Sequence, residues 1–286
     1  MESDRKARKV VTGRPKQLGL PQVVKAKRSA EPLVVVRAKE SPFDTFQQLF
    51  SCELAGTVVF VQRRTRPYKT KAIRRHPPEI RNKILCIFQR IDHENVMCAE
   101  ECYVNDGIVF AVVDNLPLTL QHLVQHCTLY PTEGQLGSII AQILSGITYL
   151  ATVDFEHRSL ICKNILLGKD GTVKIAALEN CISRSTSQSH LPSIKALGDL
   201  MMYLMKKSAG KDGILGVDNV ERWPLDSAAV DFLTLISSSS SLRSLTQHVL
   251  ITRASENRID VATLASQILL YYGDHLLSDS ALSASW

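Results

Sequence analysis

Partway along the chain the spacing of apolar residues changes from a strand period to a helix period, and this change limits the architectures open to it. Between Phe43 and Val113 the apolar residues come in short β-rich runs, at 46–50, 56–61, 70–73, 96–103 and 108–113, with polar links between them. This is the pattern of an antiparallel sheet. One helical stretch interrupts it. Pro77-Pro78-Glu79 opens that helix, because proline is tolerated in a first turn, and Ile80, Ile84, Ile87, Phe88 and Ile91 keep helical spacing. After Asp114-Asn115-Leu116-Pro117 the period is helical almost throughout, over 118–125, 134–150, 197–205, 227–236, 245–250 and 261–272. Only two strand-like pieces, 165–167 and 173–175, interrupt it, joined by the turn 168–171. The order predicts an α+β protein with a small antiparallel β lobe carrying one helix, a hinge and a mainly helical C-terminal lobe.

Composition agrees with a folded chain. The 286 residues are 45% apolar and 22% charged, with mean hydropathy near zero, which excludes a wholly disordered protein. The longest uncharged apolar runs fall far short of the roughly 18 residues of a membrane span, so no membrane partner is expected. The opening Met-Glu-Ser-Asp-Arg-Lys has no apolar core behind it and does not read as a secretory signal. The seven cysteines are therefore expected to stay reduced, in the cytosol, the nucleus or both. Cys98 and Cys102 lie close together without a second ligand pair, and we read them as buried structural thiols rather than zinc ligands. No metal site is predicted.

Charge is unevenly spread. Residues 1–40 hold eleven Lys/Arg against four Asp/Glu, residues 41–76 hold seven against two, and residues 77–286 hold sixteen against twenty-two. Residues 1–42 read as a basic flexible tail, with 33–37 a candidate short strand, and 43–286 as the folded unit, divided into lobes at 43–116 and 117–286. Within the tail, Arg5-Lys6-Ala7-Arg8-Lys9 could serve nuclear import and Gly13-Arg14-Pro15-Lys16 carries the core of a minor-groove hook. Nucleic-acid contact through these motifs ranks behind a solvated tail, or one lying on the acidic C-terminal lobe.

The stretch His157-Arg158-Ser159-Leu160-Ile161-Cys162-Lys163-Asn164-Ile165-Leu166-Leu167, set in this element order, resembles the catalytic loop of eukaryotic protein kinases, His-Arg-Asp-Leu-x-x-x-Asn before an apolar strand. Val173-Lys174-Ile175-Ala176 is similar to the strand before Asp-Phe-Gly, a triplet that here falls on Ala177-Leu178-Glu179. His93-Glu94-Asn95-Val96 resembles the link after the kinase helix αC, and Gln142-Ile143-Leu144-Ser145-Gly146-Ile147-Thr148-Tyr149-Leu150 the helix before the catalytic loop. The likeness runs from about Phe43 to Leu250 and implies a bilobal kinase-like fold.

Position by position, the resemblance implies a degenerate site. The phosphate-covering loop maps to Ser51, Glu53, Gly56 and Val58, with one of its three glycines present and Glu53 presenting a negative charge to phosphates. The rest of the implied nucleotide pocket is Ala72, Arg74 and Val113. Arg74 takes the strand-lysine position, and Ile84, with Lys83 beside it, takes the place of its αC glutamate; Arg74 then reads as part of a solvated basic face with Arg63, Arg64, Arg66, Lys69, Lys71 and Arg75. Ser159 stands at the catalytic Asp position and cannot accept a proton near neutral pH as a carboxylate can. Ile161 replaces the catalytic lysine. Asn164 is present, but its metal-binding partner is Ala177, and one neutral amide does not make a Mg²⁺ site. His157 and Arg158 read as structural residues. The activation segment is shortened: no Ala-Pro-Glu lies between Glu179 and Ile194, the αF aspartate position is Ser193, and the arginine that would pair with the missing glutamate is absent from 237–241. These readings predict a pseudokinase acting as a protein-binding or scaffold module, with weak or no ATP binding and no obligatory cofactor. A weakly active serine/threonine kinase using ATP and Mg²⁺, and a nucleic-acid-associated protein built on a kinase-like fold, stay open beside it.

Overall fold

The computed structural model describes residues 33–126, 128–185, 189–207, 219–254 and 258–283. The segment 1–32, with both candidate nucleic-acid motifs, lies outside them.

The alternating runs form one six-stranded sheet. Its strands are β1 (Val35–Ala38), β2 (Phe46–Glu53), β3 (Thr57–Arg63), β4 (Thr70–His76), β5 (Ala99–Asn105) and β6 (Ile108–Val113), in the order β1-β5-β6-β4-β3-β2. Every neighbouring pair is antiparallel except β1 with β5. Alternation gives this sheet two apolar faces. On the inner face Val58, Phe60, Ala72, Ala111 and Val113 meet Ile84, Ile87 and Phe88 of helix α2 (Arg81–Arg90), all buried in the main core. On the outer face Phe46, Val61, Ile73, Tyr103 and Val112 form a second, smaller core, against which Phe43 of the short helix α1 (Pro42–Thr45) is packed. The Ser41 hydroxyl caps that helix by accepting from the Phe43 N–H.

Residues 33–42 correct the tail boundary at 42. Val35–Ala38 pairs with Glu101 to Val104 in the sheet, Arg37 Nε donates to Glu101 Oε2 at 2.9 Å, and Lys39 N–H donates to the Val104 carbonyl at 2.8 Å. The basic residues that make the stretch look tail-like are tied to the neighbouring strand.

Past the hinge come β7 (Leu118–Thr119), α3 (Leu120–Gln125), α4 (Glu133–Thr152), β8 (Phe155–His157), β9 (Ile165–Leu167), β10 (Val173–Ile175), β11 (Cys181–Ser183), α5 (Leu191–Lys206), α6 (Ala228–Ser238), α7 (Leu242–Thr246), α8 (Val249–Thr252) and α9 (Arg258–Ser283). The fold is thus α+β, with a β-sheet lobe followed by a mainly helical one. Among the described residues no helix is long and apolar enough to cross a membrane. Helix α4 is the axis of the second lobe: Thr132 and Gln135 form a capping box, and Leu136, Ile139, Ile140, Ile143, Leu144 and Ile147 are buried. At Gly146 a Cβ would lie 2.8 Å from the Asn95 carbonyl, so only glycine lets α4 pass that close to the loop between α2 and β5.

That loop is bonded from both sides. Gln142 Oε1 accepts from Asn95 Nδ2 at 3.1 Å and from the Val173 N–H at 2.8 Å, and Asn95 Nδ2 also donates to the Val173 carbonyl. Asp114, at the hinge, receives Lys71 from β4 at 3.2 Å and Lys174 from β10 at 2.9 Å. Lys71, read above as part of a solvated basic face, is instead paired with Asp114 and Glu100. Burial alone would raise the Asp114 pKa, but the hydrogen bonds and charges of Lys174 and Lys71 outweigh it and hold the carboxylate below its usual range.

A candidate active-site cleft with one open and one closed wall

The lower wall of the cleft is the loop between β8 and β9. His157 is buried, and its Nε2–H is shared between the carbonyls of Ala176 at 2.9 Å and Ala177 at 3.1 Å, while its Nδ1 accepts from the Ser159 N–H at 3.3 Å. Those contacts require the neutral imidazole, and burial lowers the His157 pKa in agreement, against the raising effect of the two carbonyls. The ring therefore clamps the backbone that follows β10. There Ala177 sits in the left-handed region at φ 55°, ψ 48°, and starts a 3₁₀ turn over Leu178–Asn180. That conformation costs an alanine roughly 1–2 kcal/mol, so the surrounding contacts impose it. Asn164, on the 3₁₀ turn Cys162–Asn164, donates from Nδ2 to the Ser159 carbonyl at 2.9 Å and to Ser159 Oγ at 3.0 Å. Ser159 and Asn164 are thus brought together, as the sequence places them, but with the amide directed at the loop's own oxygens.

Arg158 does not wait for an external anion. Its Nη1 donates to Glu156 Oε1 at 2.9 Å, and Glu156 is buried at 6% exposure, so the guanidinium neutralises an otherwise isolated carboxylate. Beyond the 3₁₀ turn the chain forms β11, paired with β8, and then enters α5 at Leu191, with residues 186–188 outside the described range. Ser193, at the αF aspartate position, lies buried in the first turn of that helix.

The upper wall is different. Strand β2 continues to Glu53, so Ser51 and Glu53 belong to a strand rather than to a loop, and the connection to β3 is the tight turn Leu54-Ala55-Gly56. Gly56, at φ +96°, supplies a conformation that L side chains rarely adopt. Arg74 is not on a solvated face. It is buried at 6% exposure, and it donates from Nη1 to the Ala55 carbonyl at 2.7 Å and from Nη2 to the Leu54 carbonyl at 2.5 Å. Strand alternation explains the discrepancy: Arg75 faces solvent, and Arg74 turns inward with Ala72 and His76. Burial lowers the Arg74 pKa, while Glu179, Cys52 and Glu53 oppose the shift from a distance. Val58, Ala72 and Val113 are also within the main core, at 1%, 3% and 0% exposure.

The cleft cavity has a volume of about 540 Å³. Ser159, Asn164 and Gly56 line it; Val58, Ala72, Arg74 and Val113 do not. Its charged rim is Glu53, Lys163 and Glu179, none of them a predicted catalytic group. Lys163 is the functional candidate that sequence reasoning overlooked, although it is the sole charged residue between Leu160 and Leu167 and stands directly before Asn164. Glu53 accepts from Thr57 Oγ1 at 2.5 Å, and the Glu179 backbone carbonyl accepts from Lys83 Nζ of α2 at 2.6 Å. Ile84, in place of an acidic partner, is fully buried in the core. At the positions of the implied metal ligands, Ala177 has no side-chain oxygen and the Asn164 amide bonds Ser159.

Two lobes, a hinge and this loop geometry define a protein kinase-like fold. The family model described as protein tyrosine and serine/threonine kinase matches residues 68–196, from the end of the β3–β4 turn into α5. Among curated proteins, the chain is 31% identical over 101 residues to the serine/threonine-protein kinase STE20 of Saccharomyces cerevisiae, covering 35% of this chain and 10% of that protein. To the protein of the same name from Kluyveromyces lactis it is 30% identical over 101 residues, with the same shares of each chain covered. It is 32% identical over 103 residues to the serine/threonine-protein kinase SSN3 of Aspergillus oryzae, covering 35% of this chain and 24% of that one. The matched segment therefore spans a small part of each relative. The chain has a eukaryotic protein kinase-like fold and serine/threonine kinases among its relatives.

Proposed function

We propose that this chain is a catalytically impaired kinase-like domain whose role is to bind and hold another protein. The observation that carries this reading is Arg74. This guanidinium, turned inward from the upper wall, is bonded to the Leu54 and Ala55 carbonyls, so it ties down the turn over the nucleotide side instead of presenting charge to phosphates. Ser159 and Ala177 add to it, since a hydroxyl is no general base at neutral pH and a methyl group binds no metal. Loss of a base costs roughly 10² to 10⁴ in rate, and loss of electrostatic stabilisation a further 10² to 10³. Even with strong non-additivity, turnover falls to the edge of detection. The domain is expected to act in the cytosol or nucleus and to need no cofactor.

A weakly active serine/threonine kinase is the second reading. It is favoured by the names of the relatives and by the open cavity beside Ser159, Asn164 and Lys163. Thermal unfolding with millimolar ATP, with and without Mg²⁺, beside an autophosphorylation assay, separates the two. The binding-module reading expects a Tm change within about 1 °C and no incorporated phosphate. Micromolar affinity would contribute about 4 kcal/mol at millimolar nucleotide, so a Tm rise of several degrees specific to MgATP would overturn it.

A further inference from the structure

Strand β2 is the terminal strand of the sheet, and a single bulge at Leu49 is the one device of those that usually guard such an edge to be found between Phe46 and Cys52. Exposed edges carry lysine, proline or an inward charge, because their unpaired N–H and C=O groups are a template for another strand. The opposite edge, β1, is guarded in this way by Arg37 and Lys39. From Phe46 to Cys52, β2 has no charged residue and no proline, and it is exposed over Gln47 to Ser51. Two large apolar side chains stand on it, Leu49 at 46% and Phe50 at 56% exposure. Phe50 is held open and flat by stacking on Phe60, with ring centroids 4.8 Å apart and 22° between planes. A bulge at Leu49, between Gln48 and Phe50, breaks the register with β3 but leaves pairing on both sides of it.

One end of this edge is strongly positive. The turn after β3 reads Arg63-Arg64-Thr65-Arg66-Pro67-Tyr68-Lys69, and no acidic residue occurs from Leu54 to Pro78. The Lys/Arg ion pairs found among the described residues use Arg37, Lys71, Arg90, Arg158 and Lys174, and none uses Arg63, Arg64, Arg66 or Lys69, although Arg64 Nε donates to the Phe43 carbonyl at 3.3 Å. Arg63 pairs with Phe46, so the positive turn adjoins the start of β2, about 13 Å from Phe50 at the usual rise per residue. The surface therefore presents, in line, four basic side chains, an edge whose outward backbone groups face no strand among the described residues, and an apolar platform.

We propose that β2 is the docking edge for an extended acidic segment of a partner protein, which adds to the sheet as a seventh strand. The neighbouring pairs are antiparallel, and the added strand follows them, which places its apolar side chain over Phe50 and its carboxylates, toward its C-terminal end, against Arg63, Arg64, Arg66 and Lys69. Charge complementarity selects the acidic segment, and the aromatic platform separates it from a purely electrostatic ligand. The inference gives the binding role proposed above a surface and a ligand chemistry, and it is tested without nucleotide, so either reading can fail while the other stands.

The probe is a fluorescent nine-residue peptide that alternates threonine with valine and phenylalanine over six positions and ends in three glutamates, followed by polarisation with the full chain. Saturable binding is expected, weakened at least about tenfold by Phe50→Glu and by N-methylation of alternate peptide amides. Arg64→Glu with Arg66→Glu should weaken it about three- to tenfold and flatten its salt dependence. Both sites are exposed, and unchanged circular dichroism and Tm confirm that the variants fold. Absence of binding up to millimolar peptide overturns the proposal, as does equal binding of the N-methylated peptide. Tighter binding of a single-stranded oligonucleotide that ignores Phe50→Glu identifies a nucleic-acid surface instead. A concentration-dependent dimer abolished by Phe50→Glu identifies a second copy as the occupant.

Discussion

On the lower wall of the cleft, His157 holds the Ala176 and Ala177 carbonyls, Asn164 holds the Ser159 carbonyl, and the chain after β10 keeps a left-handed residue at a position that has no glycine. On the upper wall, the buried arginine, the turn Leu54-Ala55-Gly56 that it holds and the packed Val58, Ala72 and Val113 form the interior. The lower wall is thus shaped by hydrogen bonds to main-chain carbonyls, whereas the upper wall is packed as core. The contrast shows that the frame of such a site and its chemistry are held by separate sets of interactions. The hydrogen bonds that shape the loop join main-chain carbonyls to a neutral imidazole and to the Asn164 amide, which also donates to Ser159 Oγ.

The largest effect should come from giving the lower wall its chemistry and opening the upper one together. Ser159→Asp, Ala177→Asp and Arg74→Lys in one chain should produce MgATP-dependent stabilisation approaching about 4 kcal/mol at millimolar nucleotide, read as a Tm rise. Peptide phosphorylation should remain absent, because orientation of an acceptor hydroxyl supplies roughly 7 kcal/mol or more and only a short segment joins Glu179 to α5. Robust phosphorylation of a generic substrate by this variant would dissolve the comparison, since the frame alone would then suffice.

Acid titration probes the upper wall. Burial, helped by the Arg74 charge, holds the His76 pKa down at about 4, against an ordinary value of 6.5. The unfolded chain therefore binds a proton that the folded chain refuses, so stability is complete above pH 6.5 and falls as the pH drops toward 4. The loss is on the order of 3 kcal/mol by linkage. In His76→Gln this part of the acid limb should flatten, as measured by urea unfolding at several pH values; an unchanged profile would remove His76 from the account.

Arg74→Met removes the guanidinium while leaving apolar bulk. Amide exchange over residues 54–57 should accelerate about tenfold, with the Ser159 loop unaffected, because the two walls are held independently. Equal acceleration on both walls would show that they are coupled. The smallest effect is expected at Ala177→Gly, which relieves the left-handed conformation and should stabilise the domain by about 1 kcal/mol or less, allowing for the flexibility added to the unfolded chain. Destabilisation there would mean that the buried methyl group matters more than the backbone.

The strands at 108–113, 165–167 and 173–175 and the axis helix were legible because apolar periodicity reports burial directly. Helix α5 begins at Leu191, before the expected 197, because its first turn holds the proline and serine that mask a helical period. The 245–250 helix is two separate turns, since the His248 side chain caps a new start at Leu250 N–H. Strands β1, β8 and β11 are three or four residues long and exist through partners far away in sequence. Arg74 was misplaced for a related reason: a run of seven basic residues between 63 and 75 suggests a solvated face, and only strand alternation in three dimensions turns one of them inward.

Asp114 carries a mechanical consequence. Kinase-like domains that turn over substrate open and close about their hinge to admit and release nucleotide. Here a single carboxylate receives Lys71 from one lobe and Lys174 from the other, beside the amide bonds of Asn95 to Gln142 and Val173. Such a strut favours one fixed angle between the lobes. A ligand spanning both would meet a surface already in its bound shape and would give up little conformational freedom of the receptor on docking. Rigidity of that kind is a liability in a catalyst that must breathe, and an asset in a template whose function is to keep its contacts at constant spacing.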